Sequence, residues 1–233
     1  MKKALLILSL ATLCCTSEAQ VLIAVLFGDK LNTGKLEFGI TVNPALTNVT
    51  HLHSKLKPGL NLGVYFNLRP DKKIFLHLEG IAKGSFGAKG TAPYPTGNDS
   101  LDDLFAGGSV QRNIKAFCLP VLVRYAFSQH FFAEAGIQAD MILKVKDVFQ
   151  TKVADNDLEY TVKVTDQFTL LDFGVTAGAF YKLRTDRKSM GIGLRYVYGL
   201  TDIYKPVPGN QVNIAWQLTL TIPIGAGKTP ATM

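Results

Sequence analysis

The sequence has little cysteine: its 233 residues include three, at Cys14, Cys15 and Cys118. The first two fall within an N-terminal segment that we expect to be removed, so the mature chain would keep Cys118. One thiol forms neither an intramolecular disulfide nor a zinc site, which excludes a disulfide framework and a zinc-ligand motif. We predict no cofactor and no metal centre.

Long apolar runs and clustered basic residues are also missing. After residues 1–19, no apolar stretch approaches the roughly 20 residues that a membrane-spanning helix needs. The net charge is +7, but the lysines and arginines are spread along the chain without a basic stripe of interleaved aromatics. That distribution argues against nucleic-acid binding. If such a chain enters a membrane, it does so as β-strands.

The N-terminus has the layout of a secretory signal peptide. Lys2 and Lys3 give a basic start, an apolar run follows, and Ser17-Glu18-Ala19 forms a small-residue exit. We therefore expect residues 1–19 to be a signal peptide that is cleaved after Ala19.

The main positive signal is an alternation of apolar and polar residues with a period of two. From Leu60 to Leu68 the even positions are apolar and the odd ones are Asn, Gly or Tyr. This pattern predicts a β-strand with one apolar face. It recurs along the chain and predicts eight strands, at 36–46, 60–68, 74–86, 115–127, 130–144, 168–183, 190–200 and 212–224.

The predicted strands are long, and the connections between them alternate in length. Strands of about 10 residues suit a membrane crossing, which needs about 9–11, better than a soluble fold, where about 5–6 are typical. Short turns at 69–72, 128–129 and 184–189 alternate with long connections at 47–57, 87–113, 145–167 and 201–211. Outer-membrane barrels have short periplasmic turns and long outer loops. We predict an all-β fold, an eight-stranded antiparallel up-and-down transmembrane β-barrel in the outer membrane.

Within the long connection at 145–167, the residues from Thr161 to Val164 alternate again. We expect a strand to extend beyond the membrane there.

If the apolar faces meet lipid, the opposite faces point into a lumen with room for little besides side chains. We interpret the charges there as a structural network, because isolated buried charge is costly unless it is paired. The predicted lumen residues are Glu37, His77, Glu79, Lys83, Arg124, Glu134, Asp140, Lys144, Asp172, Lys182 and Arg195. We predict no catalytic residue, because no local motif marks a serine or cysteine nucleophile.

Several segments resemble the PorT-like outer-membrane β-barrel family. They are Leu36-Glu37-Phe38-Gly39-Ile40, the run from Leu119 to Tyr125, Phe132-Ala133-Glu134-Ala135-Gly136, the run from Gly193 to Tyr204, and the leader segment from Leu26 to Leu31. The resemblance implies a barrel fold, an outer-membrane location and, from part of the family, a link to protein secretion. It brings no catalytic signature with it.

The expected organisation is a signal peptide at 1–19, a periplasmic N-terminal segment at 20–34, the barrel at 35–225 and a periplasmic tail at 226–233. The segment at 20–34 either plugs the mouth of the barrel or is a disordered lead into the first strand.

Our first hypothesis is a non-enzymatic barrel with a structural or partner-binding role through its outer loops. Its expected partners are outer-membrane lipid, the barrel-assembly machinery and a protein at the outer loops. One alternative is a membrane enzyme or narrow channel that acts through the lumen. Another is a soluble periplasmic barrel that binds an apolar ligand, which requires the apolar faces to point inward.

Overall fold

The computed structural model describes residues 35–70, 72–153, 156–186, 189–206, 209 and 211–224. The expected signal peptide, N-terminal segment and periplasmic tail lie outside the described residues. Within the described part of the chain, no helix is long and apolar enough to cross a membrane.

Nine β-strands make up most of the described chain. They are β1 (Leu36–Val49), β2 (Lys57–Leu68), β3 (Ile74–Thr91), β4 (Ser109–Ala126), β5 (Phe131–Val153), β6 (Asn156–Lys163), β7 (Leu171–Lys182), β8 (Gly191–Gly199) and β9 (Asn213–Pro223). A short helix, α1 (Asp99–Phe105), lies between β3 and β4, and a 3₁₀ turn covers Thr165–Gln167. The additional strand, β6, includes Thr161 to Lys163 of the alternating segment and begins five residues before it.

Eight of these strands close into a ring of antiparallel pairs. The order around the ring is β1, β2, β3, β4, β5, β7, β8 and β9, and β9 pairs back with β1. This is the predicted up-and-down barrel. Because closure pairs the strand edges within the ring, the backbone meets lipid with its polar groups satisfied.

The period of two separates lipid-facing from lumen-facing side chains, as predicted. On β7, Phe173 and Val175 are 51% and 43% exposed, whereas Asp172 and Thr176 are each 2% exposed. The same division holds along the other strands of the ring. The outward side chains are thus mainly apolar and the inward ones of the inner half are mainly polar, which is the opposite of what a soluble barrel with an apolar ligand requires.

Strands β3, β4 and β5 continue past the ring and form an outer extension. Here β5 runs on to Val153 and pairs with β6. The opposite ends of the ring strands are joined by short connections at 69–73, 127–130 and 183–190. Since outer-membrane barrels have their short turns on the periplasmic side, the extension lies on the outer side.

Two β-bulges change which residues face the lumen, and they make two of the predicted sites wrong. The register shifts by one residue on β3 between Ile81 and Gly84, and on β5 between Ile142 and Lys144. Beyond each bulge the lumen-facing set changes parity. Lys83 and Lys144, which we expected in the lumen, are therefore exposed on the outer surface of the barrel.

Arginine substitution on the outward face tests this orientation. We expect Val175→Arg to lower the free energy of unfolding from lipid vesicles by about 2–4 kcal/mol, because it places a charge among lipid-facing residues. Val153→Arg is the matched control, since Val153 is also 43% exposed but lies at the tip of the outer extension. Denaturant titration of vesicle-refolded protein measures both. Equal losses at the two positions would contradict the assigned membrane position.

Candidate functional site: the lumen and the outer mouth

Buried charges in the inner half of the lumen form a connected network around Arg195 and Glu134. Arg124 Nε donates to Glu134 Oε2 at 2.8 Å, and Arg195 donates to both oxygens of Glu134. Arg195 NH1 also donates to Glu79 Oε1 at 2.6 Å. These four side chains come from four strands, and each residue is at most 3% exposed. The network therefore joins β3, β4, β5 and β8 from the inside.

The network continues toward β1 through His77. Its Nε2 lies 2.7 Å from Glu79 Oε1, and its Nδ1 lies 2.6 Å from Asn67 Oδ1. Asn67 Nδ2 and the Tyr65 hydroxyl then donate to Glu37 Oε1, at 2.8 Å and 3.0 Å. Every charge in this chain of contacts has a polar partner, which is the condition for tolerating charge in a buried space.

The half-buried Lys182 joins at the inner rim, where its Nζ lies 3.9 Å from Glu37 Oε2. Of the predicted lumen residues, the structure thus brings together Glu37, His77, Glu79, Arg124, Glu134, Lys182 and Arg195.

Asp140 and Asp172 form a separate acidic pair farther out along the lumen. They are direct cross-strand partners on β5 and β7. Gln138 Nε2 donates to both oxygens of Asp140, and Asn213 Nδ2 donates to Asp172 Oδ2. Asp172 Oδ1 and Asn213 Oδ1 are buried without a hydrogen-bond partner. Among the described residues, neither carboxylate has an ion pair with a basic side chain, so the pair stands apart from the network around Arg195.

The described part of the chain has no cluster of side chains that could ligate a metal ion. Across residues 35–224, apart from the gaps in the description, no group of three or more His, Cys, Asp or Glu side chains is placed to hold a metal ion. The described cysteine, Cys118, is buried at 3% exposure opposite Asp140.

An ion pair and two aromatic rings close the outer mouth of the lumen. Arg112 donates through Nε and NH2 to the two oxygens of Asp147, at 2.9 Å and 2.7 Å. Its guanidinium lies 5.0 Å from the ring centre of Phe168 and 5.2 Å from that of Tyr204. These rings belong to the two loops that flank β7 and β8, so one arginine holds both loops over the lumen.

The helical loop is tied to the same ion pair. The Tyr94 hydroxyl donates to Asp147 Oδ2 at 2.8 Å. Burial, and after it the adjacent Asp147 carboxylate, raises the pKa of Tyr94, so its hydroxyl remains a donor. Below this contact lies an apolar layer that includes Phe86, Ile114, Val145, Val197 and Ile203.

The inner mouth is narrowed by aromatic side chains. Phe75, Phe132 and Phe180 form a buried cluster, and the Arg124 guanidinium lies 3.9 Å from the ring centre of Phe180. Cavities of about 30 Å³ and about 10 Å³ lie between the side chains that fill the lumen. Volumes of this size hold one or two water molecules.

A larger concavity, which we call the outer cleft, opens between the end of α1 and the β5–β6 hairpin. It has a volume of about 650 Å³ and is lined by residues 107–109, 150–152 and 157–159. Behind it, Tyr94, Phe105, Phe149 and Tyr160 pack with ring centres 5.0–6.3 Å apart. The exposed apolar residues of this region are Leu104, Val153, Leu158 and Tyr160, at 37–43% exposure.

The described chain has a closed ring of eight strands, an apolar outer surface and a filled lumen that is polar in its inner half. These features define a small outer-membrane β-barrel. The family comparison agrees with this class. The chain belongs to the family described as outer membrane protein beta-barrel domain, whose model matches residues 26–205. A comparison with curated proteins finds no match.

Solved structures similar to this chain include the attachment invasion locus protein Ail of Yersinia pestis in complex with the heparin analogue sucrose octasulfate. It is 9% identical, covers 82% of this chain and 99% of its own, and has a TM-score of 0.45. Neisserial surface protein A is 10% identical over 82% of this chain and 97% of its own, with a TM-score of 0.42. The outer membrane enzyme PagL is 15% identical over 79% of this chain and 99% of its own, with a TM-score of 0.37.

Neutralising a paired carboxylate should be far more costly than neutralising an unpaired one. Glu134→Gln leaves Arg124 and Arg195 short of a carboxylate, and we expect a loss of about 3–5 kcal/mol in the free energy of unfolding. Asp140→Asn keeps the shape and replaces a buried carboxyl group that has no basic partner, so stability should stay the same or rise. Urea titration in lipid vesicles at neutral pH compares them. A larger loss for Asp140→Asn would show that the acidic pair, not the network, holds the lumen together.

Removing the arginine of the outer mouth should loosen the loops without unfolding the barrel. In Arg112→Gln, the lost charged hydrogen bonds should raise the rate of limited chymotrypsin cleavage in the loops about tenfold, because cleavage follows the population of the open form. Gln111→Ala, on the outward face of the same strand, is the control and should be cut at the wild-type rate. Unchanged cleavage of Arg112→Gln would mean that other contacts hold the loops.

Proposed function

We propose that this protein is a non-enzymatic outer-membrane barrel that binds a protein partner through the outer cleft and the loops beside it. The observation that supports this proposal is the cleft itself, a concavity of about 650 Å³ on the outer side. Its volume lies in the usual range for binding sites, roughly 300–1,000 Å³. The exposed apolar side chain of Leu158 lines it, and exposed apolar residues are common where a partner docks.

Strand pairing and aromatic packing hold the walls of the outer cleft in place, which favours a binding site over a flexible linker. The hairpin strands β5 and β6 pair along the full length of β6. The ring contacts of Phe105 and Phe149 fasten α1 to the hairpin. A preformed site of this kind loses little conformational entropy when a partner binds.

The filled lumen argues against a role as a channel or as a reaction chamber. Its inner half is occupied by ion-paired arginines and glutamates, and its outer half by apolar side chains. Cavities of about 30 Å³ and 10 Å³ are too small for a substrate larger than a few atoms. The enzyme and the channel are the alternatives to this proposal, and the experiment below distinguishes them from partner binding.

We extend the proposal to a role in protein secretion. The support for this step is the resemblance of the runs 119–125 and 193–204 to PorT-like barrels. The secretion role is separable from partner binding, because a cleft variant can lose its partner whether or not secretion depends on it.

Complementation of a deletion strain separates the cleft from the lumen. One variant carries Leu104→Ser, Val153→Ser and Leu158→Ser, which remove exposed apolar side chains of the cleft region. The other carries Asp140→Asn in the lumen. We expect the cleft variant to match the deletion strain in the profile of proteins released to the medium, and the lumen variant to match the wild type. Electrophoresis with and without boiling confirms that both variants form barrels.

The reverse result would overturn the proposal. If the lumen variant fails and the cleft variant complements, function lies in the lumen. Conductance steps of the purified wild type in planar bilayers would then identify a channel, and silence would favour an enzyme.

A further inference from the structure

Five lysines lie together on the outward-facing surface of neighbouring strands. Lys115 on β4 is directly opposite Lys144 on β5, and Lys146 on β5 is directly opposite Lys163 on β6. Lys83 is on the adjacent strand β3, where the bulge turns it outward. Four of the five are exposed and Lys146 is half-buried. We call these five residues the lysine patch.

The lysine patch is not neutralised by acidic side chains of the described chain. The lysine ion pairs of the described chain involve two lysines outside the patch. Lys152 pairs with Asp157, and Lys182 pairs with Glu37. Like charges directly opposite each other on a sheet destabilise it. Two such lysine pairs side by side are therefore a cost to the fold that an external anion would remove.

The patch begins where the lipid-facing apolar surface ends. The outward positions of β4 are apolar from Tyr125 up to Phe117, and the next outward position is Lys115. At ~3.3 Å per residue and a tilt of about 40°, the apolar stretch spans about 20 Å of membrane height, near the ~25 Å apolar band of such barrels. On β5, Leu143 is 52% exposed immediately before Lys144. The patch thus lies level with the lipid headgroups of the outer leaflet.

We propose that the lysine patch binds the phosphate groups of a phosphorylated glycolipid in the outer leaflet. An ammonium group is a compact charge with several donors, which suits a phosphate approached from different directions. The two lysine pairs are about 7 Å apart along β5, a spacing that allows each pair its own anionic group. The position at the edge of the apolar surface selects a lipid over a soluble acidic protein, because the acyl chains then lie on Phe117 and Leu143.

The test compares lipid binding by three forms of the purified, folded protein in neutral detergent. One form is the wild type, and one carries Lys115→Gln, Lys144→Gln and Lys146→Gln. The charge-matched control carries Lys55→Gln, Lys72→Gln and Lys205→Gln, at exposed lysines outside both the patch and the outer cleft. Each is titrated with a diphosphorylated glucosamine lipid and with the same lipid after enzymatic removal of its phosphates, and binding is followed by native mass spectrometry.

We expect the patch variant to bind the phosphorylated lipid at least about tenfold more weakly than the wild type, and the control to match the wild type. The dephosphorylated lipid should bind all three forms equally. Without lipid, the temperature of the boiling-dependent gel shift should be the same or higher in the patch variant, because lysine repulsion is gone. With phosphorylated lipid, the wild type should become the more heat-resistant form.

Two results would overturn the proposal. One is an unchanged affinity of the patch variant for the phosphorylated lipid. The other is an equal preference of the wild type for both lipids, which would assign the patch to a different anion, such as an acidic protein. Because the cleft residues are untouched in all three forms, either result leaves the partner-binding proposal standing.

Discussion

The pairing of Arg195 with Glu79 and Glu134 is the interaction on which the rest of this barrel depends. A ring of eight strands leaves an interior that side chains must fill, and this chain fills the inner half with charge. Such groups are tolerated only when each is paired, and Glu79 and Arg195 are 116 residues apart in the chain. The contact can form only when β3 and β8 face each other across a closed ring. The ion pairs therefore require the closed ring, and they in turn stabilise that ring and its strand register.

Fitting a long cation into so narrow a space constrains its neighbours. Gly178 lies on β7 opposite Arg195 on β8. A Cβ at Gly178 would lie 2.9 Å from Arg195 Cγ and 2.5 Å from the Leu194 carbonyl oxygen. Glycine at this position therefore gives the arginine its room. A lumen packed this tightly is suited to holding the barrel rigid. Chemistry and recognition then belong to the outer surface and the loops.

Much of this arrangement could be predicted from the sequence, because the period of two acts on each strand separately. Glu134 and Arg195 could be assigned to the lumen from their alternation with apolar neighbours. Lys83 and Lys144 could not, since a bulge inserts one residue without any mark in composition. Arg112 and Asp147 were missed because both fall in segments predicted as outer connections, 87–113 and 145–167. They are 35 residues apart, and no local pattern links them.

The β-bulges that made the predicted lumen facing of Lys83 and Lys144 wrong also explain two features of the outer end of the barrel. On the lumen side, the change of parity on β5 brings Val145, Asp147 and Phe149 inward, so that an apolar layer and the Arg112 ion pair can close the mouth. On the lipid side, the same change turns Lys144 and Lys146 outward beside Lys115. If β5 had kept a strict period of two, the lysines would have entered the apolar layer, where they would lack partners. One extra residue thus allows the interior to become apolar at the height where the exterior becomes basic. That coincidence is what a barrel needs where its surroundings change from hydrocarbon to charged headgroups.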